Sequence, residues 1–191
     1  LTGASSELYA DRIWVWDPAM QDYDYAWLID GVGPPYDGQW WDGDPWGPSG
    51  ITLEPGMGFW VQNRQTFSQT LVFVGSVLEA AEYSVEIGEG MQLIGSAYPV
   101  ERTLYEATFV ENGAHGASSE LYADRIWYWD ESIQDYDYAW LIDGVGPPYD
   151  GMWWDGDPWG ETSITLKPGV GYWYQRRGVG PFLWTHPGIV P

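Results

Sequence analysis

The sequence predicts an all-β protein, built as antiparallel sandwich-like or small-barrel units in tandem, and three observations lead there. Short runs alternate apolar and polar residues with the period of a half-buried strand. Turn formers are dense, with 25 Gly and 14 Pro in 191 residues. The chain also repeats itself: residues 3–64 recur as 116–177, with 49 of 62 paired positions identical. Internal repetition comes first in the reading because it sets the size of the building block.

The elements follow in order. ASSELYAD (4–11) reads as a short turn with Ser5 or Ser6 as its cap. DRIWVW (11–16) alternates Ile13 and Val15 against Trp14 and Trp16. YDYAWLID (23–30) sets Tyr23, Tyr25, Trp27 and Ile29 opposite Asp24, Ala26, Leu28 and Asp30. ITLEPGMGFWVQ (51–62) reads as strand, Pro-Gly turn, strand. TLVFVG, YSVEI and MQLIGSAY are further strands, while SVLEAAEY (76–83) and ERTLYEATF (101–109) have room for one to three helical turns each. Trp14, Trp16, Trp27 and Trp60 are expected to build the core.

The repeat period of 113 residues divides the chain into a first unit, 1–77, and a second, complete unit, 78–191. The first unit lacks a counterpart of the second unit's opening ~35 residues, so an edge should be left for the other unit or a neighbouring chain to cover. The two units are expected to pack into one continuous structure. Within the copies Val15, Phe59 and Val61 become Tyr128, Tyr172 and Tyr174. Two readings stay open: the first face is covered and the second wet, or the second contacts a ligand.

Composition removes several function classes. The net charge is -21 with only 7 Lys+Arg, which disfavours nucleic acid, anionic membranes and acidic polysaccharides. No cysteine is present, which rules out disulfides, zinc thiolates and thiol catalysis. No apolar run reaches membrane-spanning length. The chain starts at Leu1 without a signal-like segment and reads as a processed or excised piece of something longer. Catalysis is not expected. The two histidines, His115 and His186, lie outside the paired positions as functional duplicates, Lys167 is the sole lysine, and no carboxylate pair stands out from 28 acids.

Two constellations carry chemistry. The duplicated connection YDGQWWDGDPWG (36–47) and YDGMWWDGDPWG (149–160) places large rings among turn residues. Tyr36, Trp40, Trp41 and Trp46, with Tyr149, Trp153, Trp154 and Trp159, are therefore candidates to stack on pyranose rings, and Asp37, Asp42 and Asp44 to accept hydroxyl hydrogen bonds. The competing reading is a Trp-capped loop that closes a small core. An acidic aromatic surface also suits a cationic or Pro-rich peptide. The second constellation is Asp22, Asp24, Asp42 and Asp44, repeated as Asp135, Asp137, Asp155 and Asp157. These D-x-D pairs suit a structural calcium ion, or they cap turns.

The run ITLEPGMGFWVQNR, repeated as ITLKPGVGYWYQRR, resembles a tL-x-PG-x-G-[FY]-W signature of repeat domains in large secreted bacterial proteins, and GMQLIGSAYPV and ADRIWYWD fit the same pattern. That resemblance implies an extracellular or cell-surface, modular β protein and no reaction. The architecture is similar to that of carbohydrate-binding modules, by analogy alone. The first expectation is a non-catalytic module for a neutral polysaccharide of plant cell-wall type. The alternative is a structural repeat that self-associates through strand addition and aromatic packing.

Overall fold

The computed structural model describes residues 1–43, 47–73, 76–156 and 160–188. Among them lie thirteen strands in antiparallel sheets and one short helical turn, and no sheet closes into a barrel. The all-β expectation holds. The chain divides into two compact units, one of Leu1–Asp17, Asp22–Glu54 and Phe59–Ser76, the other of Pro18–Gln21, Pro55–Gly58 and Val77–Pro191.

The first unit is a four-stranded sheet. Strands β1 (Arg12–Asp17) and β2 (Asp22–Leu28) form a hairpin in the register Trp14↔Tyr25 and Trp16↔Tyr23. Strand β3 (Trp40–Trp41) flanks β2, and β4 (Phe59–Gln62) flanks β1, giving the order β3-β2-β1-β4. The alternation read from the sequence assigns the faces correctly but not their depth. Ile13, Val15, Ala26 and Trp40 share one face. Trp14, Trp16, Tyr23, Tyr25, Trp27 and Trp60 share the other, where Trp60 is 36% exposed. Of the four strand tryptophans assigned to the core, only Trp27 is buried.

The second unit repeats this sheet and completes it. Strands β5 (Glu82–Ile87), β6 (Gly90–Gly95) and β7 (Arg102–Thr103) precede the single turn α1 (Phe109–Asn112). Then β8 (Arg125–Asp130), β9 (Asp135–Leu141), β10 (Trp153–Trp154), β11 (Thr165–Leu166), β12 (Gly171–Arg176) and β13 (Phe182–Pro187) follow. The main sheet runs β10-β9-β8-β12-β6, and two small ladders, β13-β5 and β11-β7, lie outside it. Its core combines Ile126, Ala139, Leu141 and Trp153 with Phe109, Trp184 and Leu104. Phe109 stacks on Trp184 at 4.3 Å and meets Trp153 edge-on at 5.9 Å. Met57 bridges Ile94, and the Gln21 amide exchanges two hydrogen bonds with the Met91 backbone, at 3.0 and 2.9 Å.

Four local expectations need correction, the first being ITLE (51–54), which precedes the Pro-Gly turn in the first repeat without forming a strand. SVLEAAEY forms no helix, because its last two residues, Glu82 and Tyr83, begin β5 and alternate into a ladder with β13. ERTLYEATF is helical only from Phe109 onward, its start being used by β7. Thr70–Phe73 belongs to no strand. The Pro-Gly turn is as read: Gly56 and Gly169 sit at φ 78° and 76°, a conformation that favours glycine.

A buried carboxylate ties each repeat together. Asp11 accepts hydrogen bonds from the Thr2 and Arg64 backbone N–H groups at 2.7 and 2.8 Å, and from the Gln69 amide at 3.0 Å. Asp124 accepts from the His115 and Arg177 N–H groups at 2.8 and 2.6 Å, from the Tyr174 hydroxyl at 2.8 Å and from the Arg176 guanidinium at 2.7 Å. Both carboxylates are fully buried. Asp124→Asn strands the buried Arg176 charge and should cost about 3–5 kcal/mol. Asp11→Asn faces only neutral donors and should cost about 1–3 kcal/mol. Amide exchange in urea, read at the backbones of Tyr174 and Trp27, separates the two losses.

Candidate aromatic binding surface

Each sheet turns a row of rings outward. In the first repeat Trp14 lies 4.6 Å from Tyr25, Trp16 lies 5.0 Å from Tyr23, and Trp60 pairs across the ladder with Trp14. In the second, Trp127 lies 4.5 Å from Tyr138, Trp129 lies 5.3 Å from Tyr136, and Trp173 pairs with Trp127. Such cross-strand aromatic pairs are each worth roughly 0.5–1.5 kcal/mol beyond the area they bury. One end of each row is closed. Arg12 stands 4.9 Å from the Tyr25 ring and Arg125 4.9 Å from the Tyr138 ring, each guanidinium also held by a backbone carbonyl of the preceding loop. The Tyr25 and Tyr138 hydroxyls donate to Glu7 and Glu120, and those hydrogen bonds, with burial, raise both phenols above their ordinary range. The other end is open, and Trp129 is 45% exposed there.

Beside Trp129 the second repeat has a groove of about 500 Å³, with Tyr128, Glu131, Ser163, Thr165 and Lys167 among its walls. Burial first, and then Asp137, push the Tyr128 phenol up to about 12, so its hydroxyl stays protonated and donates to Asp137 at 3.2 Å. The first repeat carries Val15, Pro18 and Glu54 where the second has Tyr128, Glu131 and Lys167, so this polar groove is not duplicated.

The rings of the duplicated connection are mostly committed to the fold. Trp153 is sealed in the core at 0% exposure and has no face left for a ligand. Trp41 and Trp154 form short strands and lie 5.5 Å from Trp27 and from Trp140. Trp40 is half-buried and lines an apolar pocket, while Tyr36 and Tyr149 are exposed. Trp46 and Trp159 lie outside the described residues, as do Asp44 and Asp157. Sequence reasoning missed Trp16, Trp60, Trp129 and Trp173 because it assigned strand tryptophans to the core. The signal was available in the strand partners, since Ile13 and Ala26 already supply an apolar inner face.

Of the aspartates read as calcium ligands, Asp44 and Asp157 lie outside the described residues, and among the described residues no group of three His, Asp or Glu side chains could hold a metal ion. Asp22, Asp24, Asp135 and Asp137 each accept the N–H of the next residue, at 2.7–2.8 Å. Asp42 accepts from Gly50 at 3.3 Å and Asp155 from Thr162 at 2.6 Å. Asp37 accepts from both Val32 and Gly33 at 3.0 Å, a turn-closing arrangement. The tyrosine substitutions also reverse one expectation. Tyr172 and Tyr174 are core residues, whereas Phe59 and Val61 are only partly buried.

His186 is buried against Trp184, with ring centroids 3.6 Å apart, and among the described residues its Nε2 has no hydrogen-bond partner. Comparison with family models, with curated proteins and with solved structures finds no match to the chain.

Trp153→Ala should cost about 3–5 kcal/mol, and Trp40→Ala roughly half as much, in equilibrium denaturation. Burial, and then the Arg102 charge, lower the His186 imidazole from 6.5 to about 4. Between those values the unfolded chain binds the extra proton, so stability should fall as pH drops through that window and level off below it. The contribution is about 3 kcal/mol at most. Melting curves of wild type and His186→Phe between roughly pH 7 and 4 check this, with a shallower acid slope expected in the variant.

Proposed function

We propose that the protein is a non-catalytic extracellular module that holds a neutral polysaccharide against the outward aromatic rows of its sheets. The observation that carries this reading is the open end of those rows, where Trp16, Tyr23 and Trp60 in one repeat, and Trp129 and Trp173 in the other, lie at or near the surface in register. A pyranose presents an apolar C–H face and a rim of hydroxyls. Indole rings accept the face, and the groove beside Trp129 supplies the acceptors and donors for the rim through Glu131, Ser163, Thr165 and Lys167. A net charge of -21 does not oppose an uncharged polymer. Two rows in one chain favour avidity on a long ligand over tight binding of a short one.

The test is affinity electrophoresis and pull-down on insoluble cellulose and xylan. Trp16→Ala combined with Trp129→Ala should weaken retention by at least ~10-fold, which is about 1.4 kcal/mol. Circular dichroism should be unchanged, because both rings are on the outer face. Retention that is unaffected by the pair, or absent in the wild type, overturns the reading.

A further inference from the structure

The first repeat has a pocket of about 310 Å³ walled by Ile13, Ala26, Trp40, Ile51 and Leu53, with Pro48 at its side. In the second repeat the same positions are covered: Ile126, Ala139, Trp153 and Leu166 are buried in the core, and Ile164 packs against it. Three side chains of one short segment fill that space: Leu104, Ala107 and Phe109 are all buried, while Tyr105 on the same segment is 63% exposed. The segment is anchored as well as inserted, since Thr103 and Arg102 of β7 pair with Thr165 and Leu166 of β11. In the first repeat the equivalent residues, Thr52 and Leu53, belong to no strand, and Leu53 is 41% exposed against 3% for Leu166. Residues 1–77 include no counterpart of 78–112.

We propose that this pocket docks a polypeptide segment of the kind that fills it in the second repeat: a two-residue strand followed by Leu, Ala and Phe at the spacing of Leu104, Ala107 and Phe109. The partner pairs its backbone with Thr52–Leu53 and seats its phenylalanine against Trp40, as Phe109 meets Trp153. Five of the pocket's eight lining residues are identical in the second repeat, the exceptions being Gln39, Pro48 and Ser49, which are Met152, Glu161 and Thr162 there, so the occupant's chemistry is read from within the chain itself. The pocket lies on the opposite face of the sheet from the outward aromatic row and does not depend on the proposal for that row.

The experiment uses the full chain with a synthetic peptide of residues 101–113, ERTLYEATFVENG. Methyl NMR should show saturable shifts at Ile13, Ile51 and Leu53 as peptide rises to about millimolar. A peptide with Phe109→Asp should bind at least ~10-fold more weakly, and Leu53→Asp in the protein, at an exposed position, should do the same. No saturable shift, or shifts that survive both substitutions, overturns the proposal. Shifts confined to Ile126 and Leu166 mean exchange with the segment already in place and also overturn it. Displacement of bound peptide by xylo-oligosaccharide would instead make the pocket a sugar site. Loss of polysaccharide retention in Trp16→Ala/Trp129→Ala with peptide shifts intact separates this proposal from the previous one.

Discussion

The fold of each repeat depends on one buried carboxylate at the entry to its first hairpin strand. Asp11 and Asp124 collect the backbone N–H of the opening segment and the N–H that follows β4 or β12, so three distant pieces of chain meet on a single side chain. A fully buried anion is costly unless every lone pair is used. The need for those donors fixes where the flanking chain must run. It brings the opening loop back over the sheet, where Ala4 and Ala117 bridge Ile29 and Ile142. That return closes one end of each aromatic row and leaves the other end open.

The same anchor supports two different interiors. In the second repeat Tyr174 and Arg176 both converge on Asp124, which admits a hydroxyl and a guanidinium into an otherwise apolar core. Tyr172 is satisfied by the Thr165 carbonyl at 2.8 Å. The first repeat has Val61 and Asn63 at those places and uses the neutral Gln69 amide on the same carboxylate oxygen. A tyrosine at position 61 would bring a hydroxyl onto an oxygen already occupied by Thr2 and Gln69. The substitutions therefore form a set that follows from what covers the sheet, not independent tunings of a ligand face.

The strands, their alternation, the Pro-Gly turn and the duplication were legible in the sequence because each rests on local periodicity or turn chemistry. Which face was the core was not. Tryptophan's transfer free energy argued that Trp14, Trp16 and Trp60 belong inside, yet at the second repeat's positions equivalent to Ala26 and Ile13 the small Ala139 and branched Ile126 are what a closely packed layer of Trp153, Phe109 and Trp184 requires. Burial in a sheet is decided by what the other layer brings, and that layer comes from 78–112 and 182–187, distant in sequence. Asp11 and Asp124 were overlooked for the same reason. Among 28 acids nothing local marks the pair whose donors arrive from more than fifty residues away, at a separation of 53 for both Arg64 and Arg177. The D-x-D spacing is local, and in the pairs Asp22/Asp24 and Asp135/Asp137 each carboxylate accepts the backbone N–H of the next residue.

An aromatic outer face on an acidic protein resolves into a division of labour between the two sides of one sheet. Inside, rings contribute buried area; the Trp184 indole donates to the Ala107 carbonyl at 2.6 Å, while among the described residues the Trp153 Nε1 has no hydrogen-bond partner. Outside, rings pack edge to face and ring over guanidinium, leaving part of each indole in water. That residual exposure is a standing cost of order 25 cal/mol per Å² of apolar surface. Acidic side chains around the rows add like-charge repulsion between such surfaces, and two of them, Glu7 and Glu120, accept from the Tyr25 and Tyr138 hydroxyls. On the function proposed above, a flat, uncharged ligand would remove the cost and meet little opposing charge. A cation would add attraction and an anion would be repelled, so the net charge would bias what reaches the rows.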